Sequence, residues 1–107
     1  MGRKRELFRV HIVRKGIVRN GSETATCAIT ELTSQGIGLS TDLRAVQGDR
    51  LDLTFDLTDR HRITCTLLVT HVATPRLGGC IAAISTEHQQ QLTRYIEAHA
   101  AINLTVF

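Results

Sequence analysis

Arg5 and Arg9 frame an Arg-x-x-x-Arg, and Glu31, Thr33 and Gly36 follow as Glu-x-Thr-x-x-Gly. A guanidinium is a rigid fork of donors that suits two phosphate oxygens at once, or the O6/N7 edge of guanine. Four residues apart, two such forks share a side in either regular geometry. They stand about 6 Å apart on a helix or roughly 13 Å apart along an extended arm. Either spacing can hold two points of one dianionic ligand. In the second cluster a carboxylate and a hydroxyl two residues apart point to the same side of a strand. Gly36 then permits a sharp turn or a close approach to the backbone. Taken singly, each cluster also has a plainer reading, as an Arg pair in a basic terminus and as an ordinary Ser/Gly turn.

Catalysis has less to stand on. The five histidines (His11, His61, His71, His88, His99) fall at no metal-ligand spacing, and there is no Cys-x-x-Cys. No glycine-rich phosphate loop opens a helix, and no Gly-x-Ser-x-Gly elbow is present. Asp52 and Asp56 share a strand face that reads as solvated surface, and His71 reads as a partly buried, hydrogen-bonded side chain. The expectation is a binding module, not an enzyme, with no catalytic residue, no metal and no cofactor.

The elements that must position these clusters belong to one domain, residues 1–107, since 107 residues is the common size for one. With 42% hydrophobic and 21% charged residues the chain sits in the globular range. Seven Lys and Arg between Arg3 and Arg19, against Glu6 alone, make a basic front that attracts phosphates. Cys27, Cys65 and Cys80 are widely spaced and odd in number, the pattern of buried free thiols in a reducing compartment. A cytoplasmic location without membrane insertion is expected, because no apolar run approaches the ~20 residues of a membrane helix.

From Val10 onward nearly everything reads as strand. Val10, Ile12, Ile17 and Val18 belong to a first strand, with a bulge or bend at Arg14-Lys15-Gly16. Asn20-Gly21 turns the chain into a strand over 23–31, and Ser34-Gln35-Gly36 turns it again into Ile37–Ser40. Arg50–Leu57 alternates strictly, with Leu51, Leu53, Phe55 and Leu57 on one face. Ile63–Val72 follows; Pro75 and Gly78-Gly79 read as loop, and Cys80–Ile84 as the last strand. The period then changes. Thr86 with Gln89 makes a capping box, and Leu92, Tyr95, Ile96 and His99 form one stripe of a helix over 86–102. Leu104, Val106 and Phe107 form an apolar tail with no assigned place. No internal repeat, linker or low-complexity stretch is evident. Short strands and a terminal helix predict an all-β fold: an antiparallel barrel over residues 10–84, flanked by the helix.

The two clusters in this order, at the front of a barrel pattern, resemble the PilZ domain family, whose signature is Arg-x-x-x-Arg followed by Asp/Asn-x-Ser-x-x-Gly. The resemblance runs from about Arg3 to Ile96. It implies a six-stranded barrel with a C-terminal helix and a receptor for cyclic di-GMP. Arg5 and Arg9, on an arm over residues 1–9, would bind guanine edges and phosphates. Glu31 and Thr33 would take the guanine-contacting positions, and Gly36 would hold the turn. Glu31 departs from the family's Asp or Asn by one methylene, and Thr33 keeps the hydroxyl of Ser. A carboxylate near a ligand phosphate works against binding through repulsion and desolvation. The resemblance therefore implies either a receptor that regulates a downstream protein partner or a nucleotide-free adaptor on the same barrel. A nucleic-acid-binding barrel is disfavoured, because stacking platforms need exposed aromatics and the chain has only Phe8, Phe55, Tyr95 and Phe107.

Overall fold

The computed structural model describes residues 9–105. Six strands precede one helix: β1 (Val10–Asn20), β2 (Glu23–Leu32), β3 (Gly36–Thr41), β4 (Arg50–Asp56), β5 (Arg62–Ala73), β6 (Arg76–Ile84) and α1 (Thr86–Thr105). Every neighbouring pair is antiparallel, and the sheet closes in the order β1-β2-β3-β6-β5-β4, with β1 joined to both β2 and β4. Closure leaves no row of unpaired backbone amides at an edge. The architecture is the one the strand pattern predicts.

Alternation builds the core. Leu51, Leu53 and Phe55 of β4 point inward and are buried, while Arg50, Asp52 and Asp56 face out. Val18, Ile29, Leu39, Ile63, Leu67 and Val69 fill the barrel from the other strands. Gly16 is opposite both Phe55 and Cys27, and a Cβ there would come within 2.8 Å of the Thr54 carbonyl oxygen and 2.9 Å of Phe55 Cβ. Its bare backbone lets β1 approach β4 closely at the Thr54 carbonyl and the Phe55 Cβ. The irregularity expected at Arg14-Lys15-Gly16 falls slightly earlier, between His11 and Arg14.

Local chemistry at the turns differs from the sequence reading in identifiable ways. Asn20 pairs with Glu23, so Gly21 and Ser22 make the turn, and of the two only Gly21 has a positive φ, 64°. Asn20 instead spends its amide on Asp49 Oδ2 (3.0 Å) and the Arg44 carbonyl (3.2 Å), tying the hairpin to the loop before β4. Gly78 and Gly79 are not loop: both lie in β6, paired with β3 and β5. The helix cap is Ser85, not Thr86. Its Oγ accepts from the His88 amide at 3.1 Å, and its carbonyl accepts from the Gln89 amide.

Leu92 and Ile96 of α1 are buried in the core and Tyr95 packs partly against it. His99 closes the stripe by stacking on Tyr95, ring centroids 3.9 Å apart, with its Nδ1 2.8 Å from the Tyr95 carbonyl. Among the described residues no helix is long and apolar enough to cross a membrane. Val106 and Phe107 of the tail lie outside the described residues.

Candidate ligand-binding groove

Two β-bulges shape one stretch of the outer wall. On β2, Ile29 pairs with Leu39 and Glu31 with Gly38, so Thr30 is an extra residue. On β5, Val69 pairs with Gly79 and His71 with Gly78, so Thr70 is extra. A bulge reverses the inward/outward phase and re-aims the next side chain. It does so here for Glu31 and for His71, both of which line the same groove. In both places the threonine hydroxyl donates to the carbonyl of the glycine eight residues on, Thr30 to Gly38 (3.3 Å) and Thr70 to Gly78 (3.4 Å).

Gly38 and Gly78 face each other across β3 and β6. The row that results is His11, Glu31, Gly38, Gly78, His71, crossing five strands. Its two central positions have no side chain, so backbone forms a floor between Glu31 and His71. These walls stand roughly 14 Å apart at the ordinary strand spacing. A Cβ on Gly38 would sit 3.3 Å from Glu31 Cβ and 3.4 Å from its Oε1, so the carboxylate already leans over that floor. The groove measures about 690 Å³, and Ser40 and Arg76 line it beyond the glycines.

Arg9 enters from the leading end. Its Nε stands 2.6 Å from Glu31 Oε2, an ion pair between an exposed guanidinium and a partly shielded carboxylate. Arg9 and Glu31, one from each sequence cluster, are therefore in contact at the groove's edge. Arg5 and Lys4 lie outside the described residues. Thr33 is turned into its own turn: its Oγ1 accepts from the Gly36 amide (2.9 Å) and the Gln35 amide (3.2 Å), and lies 3.3 Å from the Gly36 carbonyl. Gly36 is required by close approach, since a Cβ there would be 2.8 Å from the Gly79 carbonyl oxygen.

Two sequence expectations change. His71 is exposed, not partly buried, because the Thr70 bulge turns it out. Cys80 is exposed while Cys27 and Cys65 are buried. Burial pushes both buried thiols up to about 11. Gly38, Gly78, His71 and Arg76 were not singled out as site residues. A signal did exist for Gly38, which sits between inward Ile37 and Leu39 and is therefore an outward glycine on an expected strand; Gly78 gave none, because its stretch reads as loop.

A larger hollow of about 890 Å³ lies elsewhere on the wall, lined by Ile17, Arg19, Asp52, Thr54, Thr64 and His88 among others. Several of its polar groups are paired with one another. Arg19 pairs with Asp52 at 2.7 Å, Thr54 with Thr64 at 3.2 Å, and His88 Nδ1 accepts from the Thr64 amide at 3.2 Å. Among the described residues no cluster of three His, Cys, Asp or Glu could hold a metal ion.

A closed antiparallel barrel with a flanking helix and a polar groove on its wall defines a ligand-binding module. The PilZ domain family matches residues 3–98, and the chain belongs to it, a family of non-catalytic binding and effector modules. Solved structures share the fold at low identity. The Bacillus subtilis inhibitor of motility (MotI/DgrA) is 17% identical with a TM-score of 0.79, covering 91% of this chain and 51% of its own. This chain thus spans about half the length of that protein. The PilZ domain of Escherichia coli YcgR, solved with cyclic di-GMP, is 15% identical with a TM-score of 0.75, covering 90% of this chain and 91% of its own. The PilZ domain of CeSA from a cellulose-synthesizing bacterium is 13% identical with a TM-score of 0.66, covering 84% of this chain and 95% of its own. Among curated proteins none matches.

Proposed function

We propose that this domain is a cytoplasmic receptor for cyclic di-GMP that regulates a downstream protein, with outputs of the motility, pilus or exopolysaccharide type. The observation that carries the reading is the meeting of Arg9 and Glu31 at the edge of a groove with a bare backbone floor. Family membership and the ligand named for the YcgR domain supply the chemistry. In this reading Arg5 and Arg9 grip phosphates and guanine edges, Glu31 accepts from a guanine, and Thr33 and Gly36 hold the turn that presents Glu31. Binding draws residues 1–9 across the groove and alters the surface offered to the partner. The ligand must take Arg9 from Glu31. An ion pair this open to solvent is worth only about 0–1 kcal/mol, so its loss is a small cost against the phosphate and guanine contacts that both arginines gain.

Titration calorimetry tests this directly. Wild type binds, and Arg9→Ala weakens affinity about ten- to a hundredfold. Equal affinity in the two proteins removes the assignment of Arg9. One observation favours the adaptor reading, in which the same barrel works without nucleotide: Arg9 and the Thr33 hydroxyl both already have partners within the protein. No heat and no amide shifts at high micromolar cyclic di-GMP would decide for it.

A further inference from the structure

Gly38 and Gly78 are direct partners in an antiparallel pair, so a local two-fold axis passes between them, normal to the sheet. That axis relates the β2–β3 hairpin to the β5–β6 hairpin, and the resemblance extends to side chains. Thr30, Glu31 and Gly38 on one side answer to Thr70, His71 and Gly78 on the other, with the same bulge and the same threonine-to-glycine hydrogen bond. Ile29 answers to Val69 and Ile37 to Leu77, all buried beneath the groove. The sequence shows no repeat because only these few positions match; the geometry does.

Under the same axis Gly36, the last residue of the second motif, answers to Arg76. Arg76 is exposed and lines the groove, as does Ser40, its partner on β3. Glu31 is the groove's carboxylate and is committed to Arg9, and Arg76 forms no ion pair among the described residues. Among the described residues Arg76 is therefore the permanent charge of the far wall that no acid pairs.

Resting on the reading above, we infer that the β5–β6 hairpin is a second half-site, in which Arg76 binds a phosphate and His71 lines the second nucleotide. A cyclic dinucleotide of two identical halves is itself two-fold symmetric, and a pseudo-symmetric groove can engage both halves at once. The two walls are chemically unlike, an acid-bearing one and a basic one. The ligand's own two-fold therefore lets it enter in either of two equivalent orientations.

Calorimetry with cyclic di-GMP on wild type, Arg9→Ala, Arg76→Ala, Arg76→Lys and Arg62→Ala separates the possibilities. Arg62 is ion-paired with Asp56 at 3.0 Å and does not line the groove, so its loss controls for net charge. The expected result is a ten- to hundredfold loss for Arg76→Ala, a smaller loss for Arg76→Lys, and no change for Arg62→Ala. Thermal melting of Arg76→Ala should match wild type, showing that a contact and not the fold was removed. Should Arg76→Ala bind as tightly as wild type while Arg9→Ala binds poorly, the second half-site is wrong and the receptor reading stands. Absence of binding by wild type overturns both.

Discussion

At Glu31 two demands meet in one carboxylate. It neutralises Arg9 over 2.6 Å, and it leans over the floor that a dianionic ligand would occupy. An acid in that place works against phosphate through repulsion while holding the guanidinium that phosphate needs. Replacing it with a neutral acceptor of the family's own kind, Glu31→Asn, frees Arg9 and removes the repulsion. Affinity for cyclic di-GMP should rise about three- to tenfold, at roughly 1.4 kcal/mol per tenfold, measured by calorimetry at fixed salt. A fall in affinity would mean instead that guanine binding needs the negative charge of Glu31 and not only an acceptor oxygen. The types needed at this site were legible as a list: two guanidinium forks, an acid, a hydroxyl and a glycine. Which acid answers which cation was not, because Arg9 and Glu31 meet through the pairing of His11 with Glu31, and register is a tertiary fact. The inward duty of the Thr33 hydroxyl is by contrast local, on amides two and three residues on, and matches the plainer turn reading of that cluster.

Among the strands, β6 is where composition misleads. Gly78-Gly79 beside Pro75 reads as loop by every local rule, yet Gly79 is held between β3 and β5 because nothing larger fits. A Cβ on Gly79 would stand 2.4 Å from the Leu68 carbonyl oxygen and 2.8 Å from Leu67 Cγ. Gly79→Ala must therefore push backbone apart in the middle of the barrel. A loss of about 2–4 kcal/mol is expected, visible as a melting temperature lower by roughly 10–20 °C. Gly21→Ala makes the informative contrast. Nothing lies within 4 Å of the new carbon there, and only the φ of 64° resists it, so a loss of about 1–2 kcal/mol is expected. Comparable losses for the two variants would show that β6 does not need its bare glycine. By the same logic β4 was fully legible: its period of two survives into the fold unchanged, since no bulge interrupts its pairing with β1 or β5. Strands whose phase is broken by Thr30 and Thr70 were legible only in part, because a bulge is chosen by the partner strand.

Taken whole, the barrel sorts its three thiols by access, and that sorting makes its stability depend on pH in one direction. Cys27 and Cys65 are buried, and desolvation raises both from 9.0 to about 11, whereas Cys80 is exposed on β6. The folded state thus keeps two protons that the unfolded chain gives up first. Below pH 9 both states are protonated and the full stability is present. Between about 9 and 11 the unfolded chain ionises alone, is favoured by solvation of its thiolates, and stability falls as pH rises. Urea midpoints measured from pH 7 to 10.5 should decline over that window. Lysine and tyrosine also titrate there, so the decisive comparison is the slope of a Cys27→Ala/Cys65→Ala variant, which should be shallower than that of wild type. Parallel slopes would mean that the two thiols ionise as readily in the barrel as out of it. Alkylation at pH 8 reads the same sorting by another route: Cys80 reacts at the rate of an exposed thiol, while Cys27 and Cys65 react only as the barrel opens. Their labelling rate then reports the opening of the closed sheet. If that opening is coupled to the site, saturating cyclic di-GMP should slow the labelling of Cys27 and Cys65 and leave that of Cys80 unchanged.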